Sequence, residues 1–129
     1  MRELNTIQKV EKLNHVFADD SHNTVGGAAH HYMISRPSVE PGDDNSPDYD
    51  TFAWVDFQCG ARNDENSTIG VLDVDLLEIV RDRLKGFQNG EFATDDNAKA
   101  LEHIEIALMY MNKRVMDRYE RNVLGTYQK

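Results

Sequence analysis

The sequence predicts an α+β fold with a pair of antiparallel strands, a long two-helix hairpin and an additional N-terminal helix. Residues 30–35 and 51–59 are rich in aromatic and β-branched side chains, which are typical of strands. Residues 72–87 and 95–121 place apolar side chains three or four positions apart, which indicates amphipathic helices. The same spacing in residues 1–17 predicts the N-terminal helix.

Length and composition limit the classes of protein to which this chain can belong. With 129 residues, it has the size of a single domain that covers residues 1–129. No apolar run approaches the roughly 20 residues of a membrane span, and the N-terminus lacks the apolar core of a secretion signal, so we expect a cytoplasmic protein without membrane contact. The net charge of −9 and the pI near 4.9 argue against binding to nucleic acid. A single cysteine, Cys59, excludes an internal disulfide and a multi-cysteine metal site.

The N-terminal half contains the predicted helix and strands. The apolar positions of the N-terminal helix are Leu4, Ile7, Val10, Leu13 and Phe17. Residues 18–29 form a polar linker with a Gly-Gly pair, and residues 30–71 hold the strands. Between the strands, residues 36–50 contain all three prolines and five acids, so we expect a mobile insertion there.

The helical hairpin is predicted over residues 72–129. Its first helix begins near Asp73, and Thr94 or Asp95 caps the second helix. At about 27 residues, or ~40 Å, the second helix is too long for a monomer of this size to cover. Apolar side chains off its main stripe form a second apolar surface, at Ile106, Met109, Tyr110 and Met116. Self-association explains both features.

Three arginines share one face of the second helix, because Arg114, Arg118 and Arg121 lie at positions i, i+4 and i+7. Two interpretations stay open. The arginines stabilise the C-terminal turn through salt bridges and the helix dipole, or their planar guanidinium groups bind phosphate oxygens.

Phe87 and Asn97 also have two interpretations each. Phe87 is either the last core residue of the first helix or a ring on which a nucleobase stacks. Asn97 is either a solvated residue of the first turn of the second helix or a hydrogen-bonding partner for the edge of a base.

The sequence contains no evident reacting centre. The five histidines do not converge, and His30 and His31 are adjacent, so on a strand they point to opposite faces. Acid pairs such as Asp73 with Asp75 lie at helix starts, where they favour the dipole. No Gly-rich phosphate loop, nucleophile elbow or metal-binding spacing is present. We therefore predict a binding surface with no catalytic residue, metal site or cofactor.

Three segments resemble the phage Thoeris anti-defence sponges, a family whose helical hairpin is shared with anti-CBASS sponges. They read HHYMI, VDFQCG and DLLEIVRDRLKGFQNGEFATDDNAKALEHIEIALMYMNKRVMDRYERNVLGT, over roughly residues 30–35 and 54–126. The most specific features are the GFQNGEFA turn, the asparagine that opens the second helix, and the arginine-rich end that closes on Gly-Thr. The resemblance implies a small antiparallel sheet packed on the helical hairpin.

The resemblance also implies a function. Such proteins are not enzymes, and they bind cyclic nucleotide immune signals, above all the glycocyclic ADP-ribose of Thoeris, in the cytosol of the infected bacterium. Some also hold CBASS cyclic oligonucleotides at a second site. They form dimers that can group into hexamers, with the signal pocket between protomers. The matching pocket positions are Phe87, Asn97, Arg114 and Arg118, with Arg121 as a further candidate, and Arg62 matches the second site.

Two other functions stay open on the residues alone. A phosphodiesterase-type enzyme that degrades the same signals needs a general base beside the arginines, for which His103 and Glu102 are the candidates. A purely structural oligomeric module uses the arginines to bridge protomers. The chain departs from the family in residues 1–29, in the acidic insertion and in the C-terminal RNVLGT, so the roles of these segments stay open as well.

Overall fold

The computed structural model describes most of the chain, which divides into two compact units. The described residues are 1–21, 25–38, 49–127 and 129. The units are Met1–Cys59 with Thr68–Gly70, and Gly60–Ser67 with Val71–Lys129. The first unit contains the sheet and the second contains the helices, which confirms the α+β class. That the whole chain is one domain, with the sheet packed on the hairpin, stays a prediction.

The first unit is built on a four-stranded antiparallel sheet in which strands pair in sequence order. The strands are β1 (Arg2–Glu3), β2 (His15–Ala18), β3 (His31–Pro37) and β4 (Tyr49–Asp56), and a 3₁₀ turn at Val25–Gly27 follows β2. Ala18 on β2 and Ser35 on β3 are fully buried, so the core of the sheet lies where these strands meet. The predicted strands 30–35 and 51–59 correspond to β3 and β4, and both are confirmed with shifted ends.

The predicted N-terminal helix is wrong, because residues 1–17 form β1, a connecting segment and most of β2. The expected apolar face is not buried: Ile7, Val10 and Leu13 are 101%, 78% and 81% exposed. Residues 15–18 instead pair along their whole length with β3. Pairing with another strand therefore outweighs the helical spacing of a few apolar residues.

The predicted insertion at 36–50 is shorter than expected. Arg36 pairs with Asp50 and Pro37 pairs with Tyr49, so both ends of the insertion belong to the β3–β4 hairpin. A proline is compatible with this position because it is the last residue of the strand, where a missing N–H does not interrupt the hydrogen bonds between the two strands. The predicted mobility concerns residues 39–48, which lie outside the described residues.

The second unit contains the helical hairpin, with α1 at Asp73–Gln88 and α2 at Asp95–Glu120, so both predicted helices are confirmed. The Oγ1 atom of Thr94 accepts the N–H of Asn97 at 3.0 Å, which confirms the predicted cap. Arg81 joins the two helices, because its Nε donates to Glu105 Oε2 at 3.0 Å. This hydrogen bond raises the pKa of Arg81.

The hairpin leaves its apolar side chains partly open to solvent in a single chain. No residue of α1 or α2, both described in full, is buried. The predicted second apolar surface is exposed at Ile106, Met109, Tyr110 and Met116, by 36%, 65%, 69% and 46%. A contiguous exposed apolar surface is typical of a protein interface. Within the part of the chain that the structure describes, no helix is long and apolar enough to cross a membrane.

Candidate functional site

The turn between α1 and α2 holds Phe87 and Asn97 at one end of the hairpin, which we call the turn end. Thr94 is fixed there, because its N–H donates to Gln88 Oε1 at 3.0 Å and its carbonyl accepts from Gln88 Nε2 at 3.1 Å. The hydroxyl of Thr94 in turn caps α2 through the N–H of Asn97. These hydrogen bonds give the turn a defined backbone from which the two side chains project.

Phe87 presents its ring at the surface and is not a buried core residue. Its exposed fraction is 39%. The guanidinium carbon of Arg83 lies 5.4 Å from the ring centroid, a distance that fits a cation–π contact. Asn97 is half-buried, and its backbone N–H is used by the cap. The turn end therefore offers an aromatic face and a side-chain amide, which are groups suited to a nucleobase.

The opposite end of the hairpin holds the arginines in a surface recess of ≈ 480 Å³, which we call the arginine recess. It is lined by Arg114, Asp117, Arg118, Arg121, Thr126, Tyr127 and Lys129. Four of these side chains are cationic and one is anionic, so the lining carries a net charge of +3. The helix α2 ends here, and the C-terminal end of its dipole favours cations.

Two of the three arginines differ sharply in their partners. Arg121 Nε donates to Asp117 Oδ2 at 3.1 Å, and its Nη1 donates to the main-chain oxygen of Lys129 at 2.6 Å. The side chain of Arg114 makes no hydrogen bond or ion pair with any residue that the structure describes. The salt-bridge interpretation therefore applies to Arg121, whereas the guanidinium group of Arg114 has no such partner among the described residues.

Arg118 contributes to the fold as well as to the recess. Its Nη2 donates to the main-chain oxygens of Val123 and Thr126, at 3.1 and 2.9 Å. These oxygens belong to the turn that follows α2, so Arg118 holds the chain after the helix against its last turns. Val123, which is only 7% exposed, anchors the same turn.

Arg62 lies in the 60–67 loop, which packs against the chain segment after α2. The N–H of Asn63 donates to the main-chain oxygen of Gly125 at 3.0 Å. Gly125 has a φ of 77°, which favours glycine, and a Cβ atom there would lie 2.8 Å from the Asn63 side chain. Arg62 is exposed beside this contact and is not among the residues that line the arginine recess.

Sequence reasoning missed part of the recess lining. Thr126, Tyr127 and Lys129 reach the arginines because the chain turns back after α2. The available signal was the glycine of the Gly-Thr pair, which permits the positive φ of that turn.

The turn end and the arginine recess are too far apart to form one pocket in a single chain. Asn97 and Arg118 are 21 residues apart in α2, which corresponds to ~31 Å at 1.5 Å per residue. That length far exceeds a small cyclic nucleotide. The structure therefore brings the three arginines together, and Phe87 with Asn97, but it does not bring the two groups together within one chain.

The sheet unit has a cavity of its own, of ≈ 350 Å³, lined by Asp19, His30, His31, Asp56, Phe57, Cys59 and Thr68. His30 precedes β3, and both His30 and His31 line this cavity. His31 Nδ1 is hydrogen-bonded to Asp56 Oδ1, and its ring stacks on Trp54 with centroids 4.9 Å apart. Among the described residues, no group of three histidine, cysteine, aspartate or glutamate side chains is placed to hold a metal ion.

Both units of the chain are similar in sequence to a known phage protein, and the hairpin also matches a family model. The model, described as Acb2/Tad1, hairpin domain, matches residues 55–116. Thoeris anti-defense 1 of Bacillus phage SBSphiJ7 is 33% identical over 144 aligned positions, and the alignment covers all of both chains. The model match includes the turn end and Arg114, and the longer alignment extends to the rest of the arginine recess.

Proposed function

Because the chain belongs to the family of Thoeris anti-defense 1, we propose that it is a phage anti-defence protein that sequesters cyclic nucleotide immune signals in the host cytoplasm. The ligand we propose is the glycocyclic ADP-ribose of Thoeris, which the protein holds without cleaving it. The observation that best supports this function is the division of the hairpin into an end suited to a base and an end suited to phosphate.

The ligand chemistry fits both ends. A cyclic ADP-ribose isomer presents an adenine ring and a pyrophosphate, and guanidinium groups match phosphate oxygens in geometry and charge. The local charge of +3 attracts such an anion, while the overall charge of −9 repels long nucleic acids. The site residues we propose are Phe87, Asn97, Arg114, Arg118 and Arg121.

The ~31 Å between the two ends favours a pocket shared by two protomers. In a two-fold dimer with antiparallel α2 helices, the turn end of each protomer meets the arginine recess of the other, so each dimer holds two pockets. The exposed apolar side chains of the hairpin supply an interface. We therefore propose a homodimer or a higher assembly of dimers, and light scattering that gives a monomer of 14.8 kDa at micromolar concentration would contradict this arrangement.

Hydrolysis of the same signals is the alternative, with His103 beside Glu102 as the general-base candidate. Within one chain, His103 lies 11 residues before Arg114 in α2, or ~16 Å along the helix axis, so a single chain does not place it beside the arginines. The test is to incubate the protein with glycocyclic ADP-ribose, denature it by heat and analyse the released ligand by chromatography. Sequestration predicts intact ligand, an enzyme releases cleaved ligand, and a structural module releases none because it binds none.

Arg62 supports a second proposal, a separate site for CBASS cyclic oligonucleotides on the 60–67 loop. The support is its exposed position outside the arginine recess. A cyclic trinucleotide should then bind in the presence of saturating glycocyclic ADP-ribose. Arg62→Ala should weaken binding of the trinucleotide but not of glycocyclic ADP-ribose. Competition between the two ligands would instead show that both bind in one pocket.

A further inference from the structure

Tyr127 is an exposed aromatic residue whose position is fixed by the fold. Its exposed fraction is 61%, yet its hydroxyl donates to Asp64 Oδ2 at 3.0 Å. A Cβ atom on Gly60 would lie 2.7 Å from that hydroxyl oxygen, so the glycine leaves the room that the tyrosine occupies. An aromatic ring held at its far end loses little conformational freedom when a ligand stacks on it.

The backbone that carries Tyr127 is fixed by the same elements that position the arginines. Arg118 donates to the main-chain oxygen of Thr126 at 2.9 Å, and the N–H of Asn63 donates to that of Gly125 at 3.0 Å. Tyr127 therefore belongs to a rigid framework shared with Arg118. Tyr127 lines the arginine recess, whose volume of ≈ 480 Å³ leaves space for a flat group beside a phosphate.

We propose that Tyr127 stacks on the nucleobase of a ligand whose phosphates are bound by the arginines. The recess would then select nucleotides over bare polyphosphates, because only a nucleotide offers a flat ring next to its phosphates. One face of the base rests on Tyr127, and the other is available to Phe87 of the partner subunit. This inference rests on the proposed function, since it concerns the same site.

The test compares two ligands on matched variants by calorimetry. The probes are glycocyclic ADP-ribose, which has a base, and pyrophosphate, which has none. Tyr127→Leu should lower the affinity for the nucleotide at least about fivefold, the lower limit for a lost base–aromatic stack. The same variant should change the affinity for pyrophosphate by no more than about twofold. Tyr127→Phe keeps the ring and should retain most of the affinity, whereas Arg114→Ala should weaken both ligands.

Each outcome decides the proposal. Equal weakening of both ligands by Tyr127→Leu shows that Tyr127 only supports the backbone, and unchanged nucleotide affinity removes it from the site. Either result leaves the proposed function intact, whereas a wild-type protein that binds no cyclic nucleotide overturns both. If Tyr127→Leu does not fold, the test instead measures the rate at which tetranitromethane nitrates Tyr127 in the wild-type protein. Bound nucleotide should protect the ring, and nitration at the unliganded rate overturns the stacking role.

Discussion

The two ends of the helical hairpin carry opposite chemistry on one continuous helix. At the turn end, α2 begins with Asp95 and Asp96, whose carboxylates favour the positive end of the dipole and repel phosphate. At the other end, α2 finishes among arginines in a recess with a net charge of +3. A phosphate is therefore suited to one end only, whereas the other end offers the exposed ring of Phe87.

This difference explains why a single chain does not bring all the proposed site residues together. A cyclic nucleotide joins base and phosphate within a few bonds, while the hairpin separates Asn97 at the turn end from Arg118 in the recess by ~31 Å. In the dimer proposed above, antiparallel association of two hairpins would remove this separation without any change in either chain. The proposed association would complete the pocket and cover the apolar side chains of α2 that are exposed in a single chain.

The largest effect is expected when the two ends are inactivated in different chains. Phe87→Ala and Arg114→Ala homodimers should each bind glycocyclic ADP-ribose weakly, because both of their pockets are defective. When the two variants are denatured and refolded together, mixed dimers contain one pocket with both intact residues. Random pairing should therefore restore tight binding to about a quarter of the wild-type number of sites, measured by calorimetry.

The control is a refolded mixture of wild-type protein with the Phe87→Ala, Arg114→Ala double variant. In each mixed dimer, one pocket lacks the Phe87 ring and the other lacks the Arg114 guanidinium, so only wild-type homodimers bind tightly. If the two single variants show no recovery although mass spectrometry detects mixed dimers, the site does not combine residues of two chains.

The second test separates two arginines that share the recess but differ in their bonds. Arg114→Ala removes a side chain without partners in the described chain, so it should weaken binding by about ten- to hundredfold, or ~1.5–3 kcal/mol, with an unchanged melting temperature. Arg118→Ala also removes two hydrogen bonds to main-chain oxygens, so it should lower the melting temperature of the empty protein as well. Equal thermal stability of the two variants would show that the Arg118 bonds do not support the fold.

A smaller effect is expected at the turn end, where two phenylalanines form a matched pair. Phe87→Ala should weaken ligand binding by ~1–3 kcal/mol, the value of a base–aromatic stack. It should cost less stability than the about 3–5 kcal/mol of a core phenylalanine, because its ring is 39% exposed. Phe92 follows in the same turn and is 68% exposed, so Phe92→Ala serves as the control with unchanged affinity. Equal losses in both variants would indicate a general disturbance of the turn.

The sequence predicted the hairpin well because its signals are local. Apolar spacing, acids in the first turns and a threonine cap all lie within the helices that they specify, and α1 and α2 begin where these signals place them. The arginine stripe was predictable for the same reason, since positions i, i+4 and i+7 share a helical face.

The rest depended on contacts between distant residues. The N-terminal segment has helical spacing, but its pairing with β3 decided its structure. The bonds from Arg118 to Val123 and Thr126 depend on the turn after α2, and the position of Tyr127 depends on Asp64, 63 residues earlier in the chain. No local pattern reports such contacts, so the arginines that we propose to bind phosphate were predictable from the sequence and their hydrogen-bonding supports were not.

The smallest effect is expected outside the hairpin, in the strand β1, when the pH is lowered. Hydrogen bonds from His15 to Glu3 and from Arg2 to Asp20 lower the pKa of both carboxyl groups below their ordinary values of 4.5 and 3.8. Such groups stabilise the folded state above their ordinary pKa, and this contribution is lost as the pH falls through the lowered values. Both pairs are solvent-exposed, so the change in stability is small.

The test is hydrogen exchange at the amide of Leu4, whose N–H donates to the main-chain oxygen of Val16 at 2.8 Å. Acidification from about pH 6 to about pH 3 should lower the protection of this amide, which compares the observed exchange rate with the intrinsic rate at the same pH. Glu3→Gln should reduce this pH dependence. Unchanged protection of Leu4 in the wild-type protein would mean that backbone pairing, and not the carboxylates, holds β1 to the sheet.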